Sequence, residues 1–327
     1  MTAATPGPVA DVPEVPEGSG PTAHPRPWVI LNATAGKKAG IATNEATNPE
    51  EIEALFTALG TDVIVHATTS EEDAIATTLD GVAAGCPAIV AAGGDGTFGL
   101  VARTILSAAA PGSGDALPAV GALPLGSAMN VARSLGIPRD LPAAAAIIAD
   151  GHTRPIDVGE LPDGQVFFEA IAIGLHAELF AEAAAFDDGD WAAPLRAAWT
   201  AVRYTPSRLT LHLDEGKIST RALIVSVSNG PYTGLGFTVA PDARLDDGRF
   251  DIRLFEGFSR LELLRHFGSI ALGRRRYEPK VRTYRSRSVR VESVTPLRVG
   301  VDGEDAGETP VEATVRPAAL RVLVPRP

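Results

Sequence analysis

Short apolar runs alternate with amphipathic stretches in the first half of the chain. WVILN, PAIVAA and AVGALPL are apolar throughout and have the length of buried strands. The stretches between them carry apolar residues at helical spacing, and Ser70, Asp140 and Gly151 stand at positions typical of helix ends. Strands that alternate with helices in this way predict a parallel sheet with crossover helices.

The pattern changes after Asp157, where strand-like runs follow one another with turn residues between them. Only residues 190–202 and 259–273 look helical there. We therefore predict an α/β fold of two domains: an N-terminal α/β domain with a mainly parallel sheet at residues 27–157, and a β-rich, sandwich-like domain at residues 158–327. The last strands could pack back on the first domain.

Composition narrows the range of partners. The net charge of −11 argues against a general nucleic-acid binder, which needs basic clusters for phosphate contacts. No run approaches the ~18 apolar residues of a membrane span, and residues 1–26 lack the basic start and apolar block of a secretory signal. Those residues are rich in Pro, Gly, Ala and Thr and are predicted to be a disordered tail. The lone Cys86 excludes a disulfide framework, so a cytoplasmic protein is expected.

A glycine-rich loop follows the strand PAIVAA. Gly93, Gly94, Asp95, Gly96 and Thr97 lie where a parallel strand ends and a helix begins, at the edge of such sheets where ligands gather. Glycines expose backbone N–H groups and a helix N-terminus attracts anions, so the loop predicts a phosphate site with the Thr97 hydroxyl as a further donor. It fits neither the P-loop nor the dinucleotide pattern, and alone it is better explained by a tight turn.

Two further loops repeat this design. Gly126 and Ser127 follow the next strand, and the loop NATAGK, with Asn32, Gly36 and Lys37, follows the first one. Loops at the ends of neighbouring parallel strands converge on the same edge of the sheet. Three such loops favour a shared phosphate site over a chance turn.

Longer motifs carry a resemblance to a known family: GGDGTF, PLGSAMNVARSLGIP, IDVG, GPYTGLGFTVAPDARLDDGRFDI and VDGEDAGETPVE. From Trp28 to Pro325 the chain resembles the diacylglycerol kinase catalytic-domain family, which includes bacterial lipid kinases and sphingosine kinases. The GGDGT element alone is shared with NAD kinases, whereas its combination with the late Asp-Gly-Glu is more specific. The resemblance implies an ATP-dependent lipid kinase that phosphorylates a hydroxyl of diacylglycerol or a related lipid.

The resemblance also assigns residues. Gly93–Thr97 would bind the ATP phosphates, Ser127 matches a second-loop threonine, and Thr68 matches a nucleotide-contacting threonine, although Thr68 alone also suits a helix cap. Glu304, with Asp302 beside it, matches the proton acceptor, a carboxylate that would orient the acceptor hydroxyl. Without the family, VDGE would be interpreted as a hairpin turn.

The family further implies two Mg²⁺ sites. One lies on an Asp-Gly turn of the β-rich domain, where Asp247 would supply a carboxylate and Arg244 and Arg249 would supply backbone carbonyls, in keeping with the oxygen ligands that Mg²⁺ prefers. The alternative for this turn is a solvated acidic loop. The second Mg²⁺ would arrive with ATP, and Asp95 would help to hold it through water.

Two departures from the family concern the site. Asn130 stands where the family commonly has Asp, so an amide replaces a carboxylate and one negative charge is lost. Ala33 stands where the family has Pro, which is a milder change. The loss at Asn130 keeps open a nucleotide- or lipid-binding protein with reduced catalysis. An NAD kinase-like enzyme with a soluble acceptor is the other alternative.

A lipid acceptor requires contact with a membrane surface. Residues 273–290 concentrate basic residues that would attract anionic headgroups, although the same run also suits a strand with one solvated face. Residues 191–204 are apolar with two tryptophans and suit an acceptor-pocket wall, an interfacial helix or a core helix. The expected location is cytoplasmic and peripheral at the inner membrane face, and a homodimer stays open.

Overall fold

The computed structural model describes residues 26–32, 37–38, 41–42, 48–108, 117–126, 128–187, 189–234, 236–257, 262, 265 and 280–327. Apart from single positions, the predicted tail and the predicted helix at 259–273 lie outside these residues. The helices are α1 (Pro49–Ala58), α2 (Glu71–Ala83), α3 (Asp95–Ser107), α4 (Asn130–Ser134), α5 (Leu141–Asp150), α6 (Leu175–Asp187) and α7 (Ala193–Arg203). The strands are β1 (Trp28–Asn32), β2 (Lys37–Lys38), β3 (Ile41–Ala42), β4 (Ile64–Thr68), β5 (Ala88–Gly93), β6 (Ala119–Pro124), β7 (Thr153–Glu160), β8 (Val166–Phe167), β9 (Ala170–Gly174), β10 (Ser207–Leu213), β11 (Gly216–Ser228), β12 (Tyr232–Thr233), β13 (Phe237–Thr238), β14 (Phe250–Glu256), β15 (Val281–Ser286), β16 (Ser288–Ser293), β17 (Arg298–Val301), β18 (Glu304–Glu308) and β19 (Val311–Leu323).

Parallel strands form the first half of the main sheet, in the order β4-β1-β5-β6. β5 and β6 are buried along their whole length, which explains their continuous apolar runs. Because β1 lies between β4 and β5, the winding of the chain reverses beside β1, and the ends of β1 and β5 form the kind of switch point at which such sheets bind ligands. The predicted parallel α/β architecture is confirmed.

Side chains and glycines fix the ends of the helices. The Ser70 hydroxyl accepts a hydrogen bond at the start of α2, Asp140 does the same for α5, and Gly151 ends α5 with a left-handed φ of 71°. These ends agree with the sequence pattern. α3 begins at Asp95, earlier than its apolar spacing indicates, because Gly94 is the N-cap and the first turn of α3 is polar.

The second half of the sheet is antiparallel. β11 pairs with β9, β10 and β14, and the hairpin of β17 and β18 adds to the other side of β9. α6, which the sequence did not predict, lies against β9, β11 and β17. Its sequence, LHAELFAEAAAFD, is rich in alanine and has no clear apolar stripe, so the pattern gave little signal.

β19 joins the two halves. It pairs first with β16 and along most of its length with β7, with an irregularity between Arg316 and Leu320, and near its end it also pairs in parallel with β6. The sequence predicts two separate strands here, and Ala318, with a φ of 49°, marks the point where the single strand is distorted. The end of β19 therefore lies inside the sheet of the first domain.

Each half has its own apolar core, and a third, smaller cluster lies under α6. In the described part of the chain, none of the helices has the length and apolar character needed to cross a lipid bilayer.

Candidate active site

The first and second glycine loops and β1 meet at the carboxyl edge of the parallel strands. Asn32, the last residue of β1, donates a hydrogen bond from Nδ2 to Thr97 Oγ1 at 3.2 Å. Thr68 is the neighbour of Asn32 across β1 and β4, and its buried hydroxyl donates to the carbonyl of Leu31 at 3.2 Å. Residues from the ends of three strands therefore lie side by side, as the sequence predicts for a shared site.

Glycine is required in these loops by the packing of the protein itself. A Cβ at Gly93 would lie 2.3 Å from Thr97 Oγ1, and a Cβ at Gly126 would lie 2.5 Å from the Cα of Gly94. The two loops are thus in backbone contact. Gly94 is the N-cap of α3 and gives the first N–H groups of the helix no side-chain acceptor, as an anion site at this helix end would need.

The other predicted nucleotide residues are only partly visible. Gly36 and Ser127 lie outside the described residues, and Lys37 is described only as backbone, in β2. A Cβ at Gly96 would meet nothing within 4 Å, so the fold alone does not require glycine there. Their assignment to a nucleotide remains a prediction.

Asp95 is bound by the N-terminus of α4. Its Oδ2 accepts from the backbone of Asn130 at 2.8 Å and its Oδ1 from Val131 at 2.9 Å. Burial raises the pKa of Asp95, while the backbone donors of residues 129–131 and the charge of Arg139 oppose the rise. Arg139, which the sequence analysis missed, donates to the carbonyl of Gly126 at 3.1 Å and places a positive charge beside the second loop.

A second carboxylate, Glu169, faces this assembly from the β-rich domain. Asn130 Nδ2 donates to Glu169 Oε2 at 3.0 Å and to the carbonyl of Gly234 at 2.7 Å. The side chain is almost fully buried; burial raises the pKa of Glu169 well above its usual range, and the negative charges of Asp302 and Asp95 raise it further. The sequence analysis missed Glu169, although an acidic residue inside the apolar run VFFEAIAI is a visible signal.

The predicted catalytic turn connects β17 and β18. Asp302 and Gly303 both have positive φ, 50° and 87°, as a two-residue hairpin turn of Asp-Gly type requires. The Asp302 carboxylate accepts backbone hydrogen bonds from Phe168, Glu169 and Ala170 at 2.8, 2.8 and 3.2 Å. Burial raises the pKa of Asp302 to about 6, against the opposing effect of these donors. Asp302 therefore anchors the turn, whereas Glu304 is exposed.

The turn that is predicted to bind a metal is fixed by hydrogen bonds from its backbone to two aspartates. Gly248 N donates to Asp157 Oδ2 at 2.6 Å, and Arg249 N donates to Asp247 Oδ1 at 3.1 Å. Asp247 Oδ2 is buried and accepts no hydrogen bond from the residues that the structure describes, and such a carboxylate oxygen fits an oxygen-bound cation. However, Nη2 of Arg285 lies 3.5 Å from it. The described residues contain no group of three or more His, Cys, Asp or Glu placed to hold a metal, so the predicted shell depends on backbone carbonyls.

The two segments predicted to contact a membrane differ. Trp191, just before α7, and Leu195 and Trp199 on α7 are 75%, 76% and 62% exposed, which contradicts the core-helix alternative. In the basic run, the pair Arg274 and Arg275 lies outside the described residues. Beyond it the chain forms β15 and β16, as the strand interpretation predicts, and several arginines there pair with carboxylates: Arg282 with Glu256, Arg285 with Asp251, and Arg290 with Glu292.

Comparison with known proteins agrees with this geometry. Residues 26–161 match the family described as diacylglycerol kinase catalytic domain, and residues 171–324 match the YegS C-terminal NAD kinase beta sandwich-like domain. A crystal structure of a diacylglycerol kinase from Bacillus anthracis superposes with a TM-score of 0.69 at 19% identity and covers 93% of this chain and 98% of that one, which shows the shared fold.

Curated relatives show the family. A "Probable lipid kinase YegS-like" from Pseudomonas aeruginosa is 30% identical over 307 residues, which are 90% of this chain and 94% of the relative. A "Diacylglycerol kinase" from Mycobacterium tuberculosis is 30% identical over 286 residues, 82% of this chain and 86% of the relative. The chain thus belongs to the diacylglycerol kinase catalytic-domain family and is a phosphotransferase with an alcohol acceptor.

Proposed function

We propose that the protein is a lipid kinase that transfers the γ-phosphate of ATP to a hydroxyl of diacylglycerol or a related lipid. The observation that supports this most is the arrangement of the cleft. The glycine loops, with bare N–H groups, stand on one side, and an exposed carboxylate on a rigid hairpin stands on the other. A continuous set of hydrogen bonds through Asp95, Asn130, Glu169 and Asp302 links the two sides.

Each side has a distinct task in the proposed reaction. The N–H groups of the glycine loops and the Thr97 hydroxyl bind the phosphates, with the charge of Arg139 nearby. Glu304 accepts the proton of the lipid hydroxyl while the hydroxyl oxygen bonds to the γ-phosphorus, the bond to the bridging oxygen breaks, and ADP leaves. Mg²⁺ bound with ATP would offset phosphate charge, and Asp95 would help to hold it.

We further propose that Asp247, with the backbone carbonyls of Arg244 and Arg249, holds a structural Mg²⁺ in the β-rich domain. The Oδ2 atom of Asp247 supports this, since a buried carboxylate oxygen that accepts no hydrogen bond from the described residues is costly. Arg285 competes for the same oxygen, but its side chain is 44% exposed and can move into water. Mg²⁺ bound at this site would stabilise the turn, which is also hydrogen-bonded to Asp157 of the first domain.

The direct test incubates the protein with Mg²⁺, ATP labelled in its γ-phosphate and a total lipid extract. Label in a lipid that depends on the protein supports the proposal, and the product identifies the acceptor. Label in added NAD instead would select the NAD kinase-like alternative. Equilibrium ATP binding with no labelled product would select a binding protein with reduced catalysis. The amide at position 130 is the reason for considering this alternative.

The exposed face of α7, defined by Trp191, Leu195 and Trp199, is the surface we propose for the membrane. Tryptophan is favoured at the lipid–water interface, and the guanidinium of Arg203 lies 5.1 Å from the ring centre of Trp199, where it can meet an anionic headgroup. α7 packs on α6, and α6 contacts the hairpin that carries Glu304. A bilayer bound at this face would lie near the proposed acceptor side.

Vesicle flotation tests this surface. Trp191→Ser with Trp199→Ser should reduce binding to vesicles containing phosphatidylglycerol by about tenfold, since each buried aromatic side chain contributes ~2 kcal/mol or less at an interface. The control Val294→Ser removes an equally exposed apolar side chain from a turn and should have no effect. Equal loss in both variants would refute the role of α7. Light scattering of the same samples would decide whether the protein is a homodimer.

A further inference from the structure

Asn130 and Glu169 form a contact between the two domains in the interior of the cleft. Asn130 is 1% exposed and Glu169 is 5% exposed. One carboxylate oxygen, Glu169 Oε2, accepts from Asn130 Nδ2 at 3.0 Å and from Gly234 N at 3.2 Å. Both groups are therefore removed from water, and besides bonding to each other they both bond to the backbone of Gly234.

The contact continues to a functional carboxylate on each side. The backbone N–H of Asn130 binds Asp95 at the nucleotide side. The backbone N–H of Glu169 binds Asp302, which anchors the turn of Glu304. A displacement of Glu169 would therefore act on Asp302 directly and on Asp95 through Asn130.

The chemical identities at the two positions are linked. When it is ionised, the Glu169 carboxylate accepts hydrogen bonds and cannot donate, and the amide of Asn130 supplies a donor to it at 3.0 Å. An aspartate at 130 would place two carboxylates in contact in a buried site where Asp95 and Asp302 already contribute negative charge. The carboxylate that is absent at position 130 is thus found one hydrogen bond away, on the other domain.

A second observation concerns the oxygen of the same amide. Asn130 Oδ1 is buried and accepts no hydrogen bond from any residue that the structure describes. A buried carbonyl oxygen of this kind is suited to a hydrated cation or its water. The pair therefore offers one charged and one neutral oxygen donor at the cleft.

We propose that Glu169 is a positioning residue of the phosphotransfer site: its carboxylate replaces the one that position 130 lacks, and together with Asn130 it holds Asp95 and Asp302 in fixed relation across the domains. The catalytic part of this inference rests on the proposed lipid kinase function.

A charge exchange between the two positions tests the inference. Glu169→Gln keeps the shape and one acceptor oxygen but removes the charge, and Asn130→Asp creates the repulsive pair. Each should lower kcat about 30-fold or more with KM for ATP changed less than about threefold, because the glycine loops are untouched. The double variant restores one carboxylate and one amide, and its kcat should exceed that of either single variant at least about tenfold.

The control is Thr233→Val, next to the same turn; it removes a buried hydroxyl that has no hydrogen-bond partner among the described residues, and it should leave kcat unchanged. Single variants within about threefold of the parent, or a double variant whose loss equals the product of the two single losses, would overturn the inference. Variants that do not fold are recognised by thermal unfolding, and Glu169→Asp, which keeps the charge but shortens the side chain, then tests positioning by itself: a kcat within about threefold of the parent would overturn the inference.

A binding measurement separates this inference from the proposed function. Without any lipid, the Mg²⁺ concentration needed for half-maximal thermal stabilisation by ATP should rise about fivefold or more in Glu169→Gln and fall back in the double variant. If the parent protein phosphorylates no lipid, the proposed function fails, but this measurement still decides whether Glu169 supplies the missing carboxylate. An unchanged Mg²⁺ requirement would overturn the inference on its own.

Discussion

The two sides of the cleft are built by different means. The nucleotide side is built from backbone: Gly93 and Gly126 pack so closely that a single methyl group would collide at 2.3 and 2.5 Å. The acceptor side is built from two carboxylates, the buried Glu169 and the partly buried Asp302, each held by hydrogen-bond donors from distant segments. One side should therefore be sensitive to volume, and the other to charge and pH.

The largest effect is expected from the exposed carboxylate of the acceptor side. Glu304→Gln should lower kcat by about 100-fold to 10,000-fold, the usual contribution of a general base, while ATP affinity stays the same. The control is Glu308→Gln, an exposed carboxylate at the other end of the same strand. Steady-state kinetics together with equilibrium ATP binding checks the prediction. Equal activity of Glu304→Gln and the parent protein would remove Glu304 from the mechanism.

Two glycine substitutions separate the glycines that the fold of the nucleotide side requires from those that ATP binding requires. Gly126→Ala should lower the thermal midpoint by several degrees, since overpacking costs about 1–3 kcal/mol, and should weaken ATP binding as well. Gly96→Ala meets nothing within 4 Å and should leave the midpoint unchanged while raising KM for ATP about tenfold. Differential scanning fluorimetry and kinetics measure both. A normal KM in Gly96→Ala would mean that the phosphates do not approach this residue.

The acceptor side should respond to pH. Because the folded-state pKa of Asp302 is raised to about 6 from an ordinary 3.8, its contribution to stability is fully present below 3.8 and is lost as the pH rises through about 6. The pKa of Glu169 is also raised, so its contribution to stability is likewise lost as the pH rises. The unfolding free energy of Glu169→Gln should therefore fall less steeply between pH 4.5 and about 7 than that of the parent protein. Urea titrations across this range, with Glu308→Gln as control, test the difference. Parallel pH profiles would contradict it.

The smallest effect is expected at the metal turn, where the guanidinium of Arg285 lies near Asp247, the proposed metal ligand. Arg285→Met should lower the Mg²⁺ concentration needed to stabilise the nucleotide-free protein by about threefold, and Asp247→Asn should abolish that stabilisation, because the two side chains lie 3.5 Å apart. Arg290→Met, on the next strand and paired with Glu292, is the control. No response of the parent protein to Mg²⁺ would exclude this metal site.

The sequence predicted the nucleotide side better than the acceptor side, for a physical reason. A glycine loop between a buried strand and a helix is a local pattern, and the motif around Gly93 and the caps at Ser70 and Asp140 need no distant residue. Glu169 depends on Asn130, 39 positions earlier, and Asp302 on backbone groups more than 130 positions before it. Contacts of this range leave no periodic trace in one sequence.

α6 shows a second kind of failure. Its alanine-rich sequence carries little difference between an inner and an outer face, so only its packing against β9 and β11 identifies it as a helix. In α7 the apolar residues lie on the outer face, and the usual inference from apolar spacing to a core helix was wrong there.

The path of β19 has a consequence for how the protein is made. β19 completes the sheet that the first strands begin, since Val322 pairs with Val120 of β6 and Leu323 pairs with Thr153 of β7. A ribosome releases residues in order, so the nucleotide half must wait, with the edge of β6 unpaired, until β19 has been synthesised. The two domains follow one another in the sequence, but they are expected to fold together, and neither completes its fold before the other.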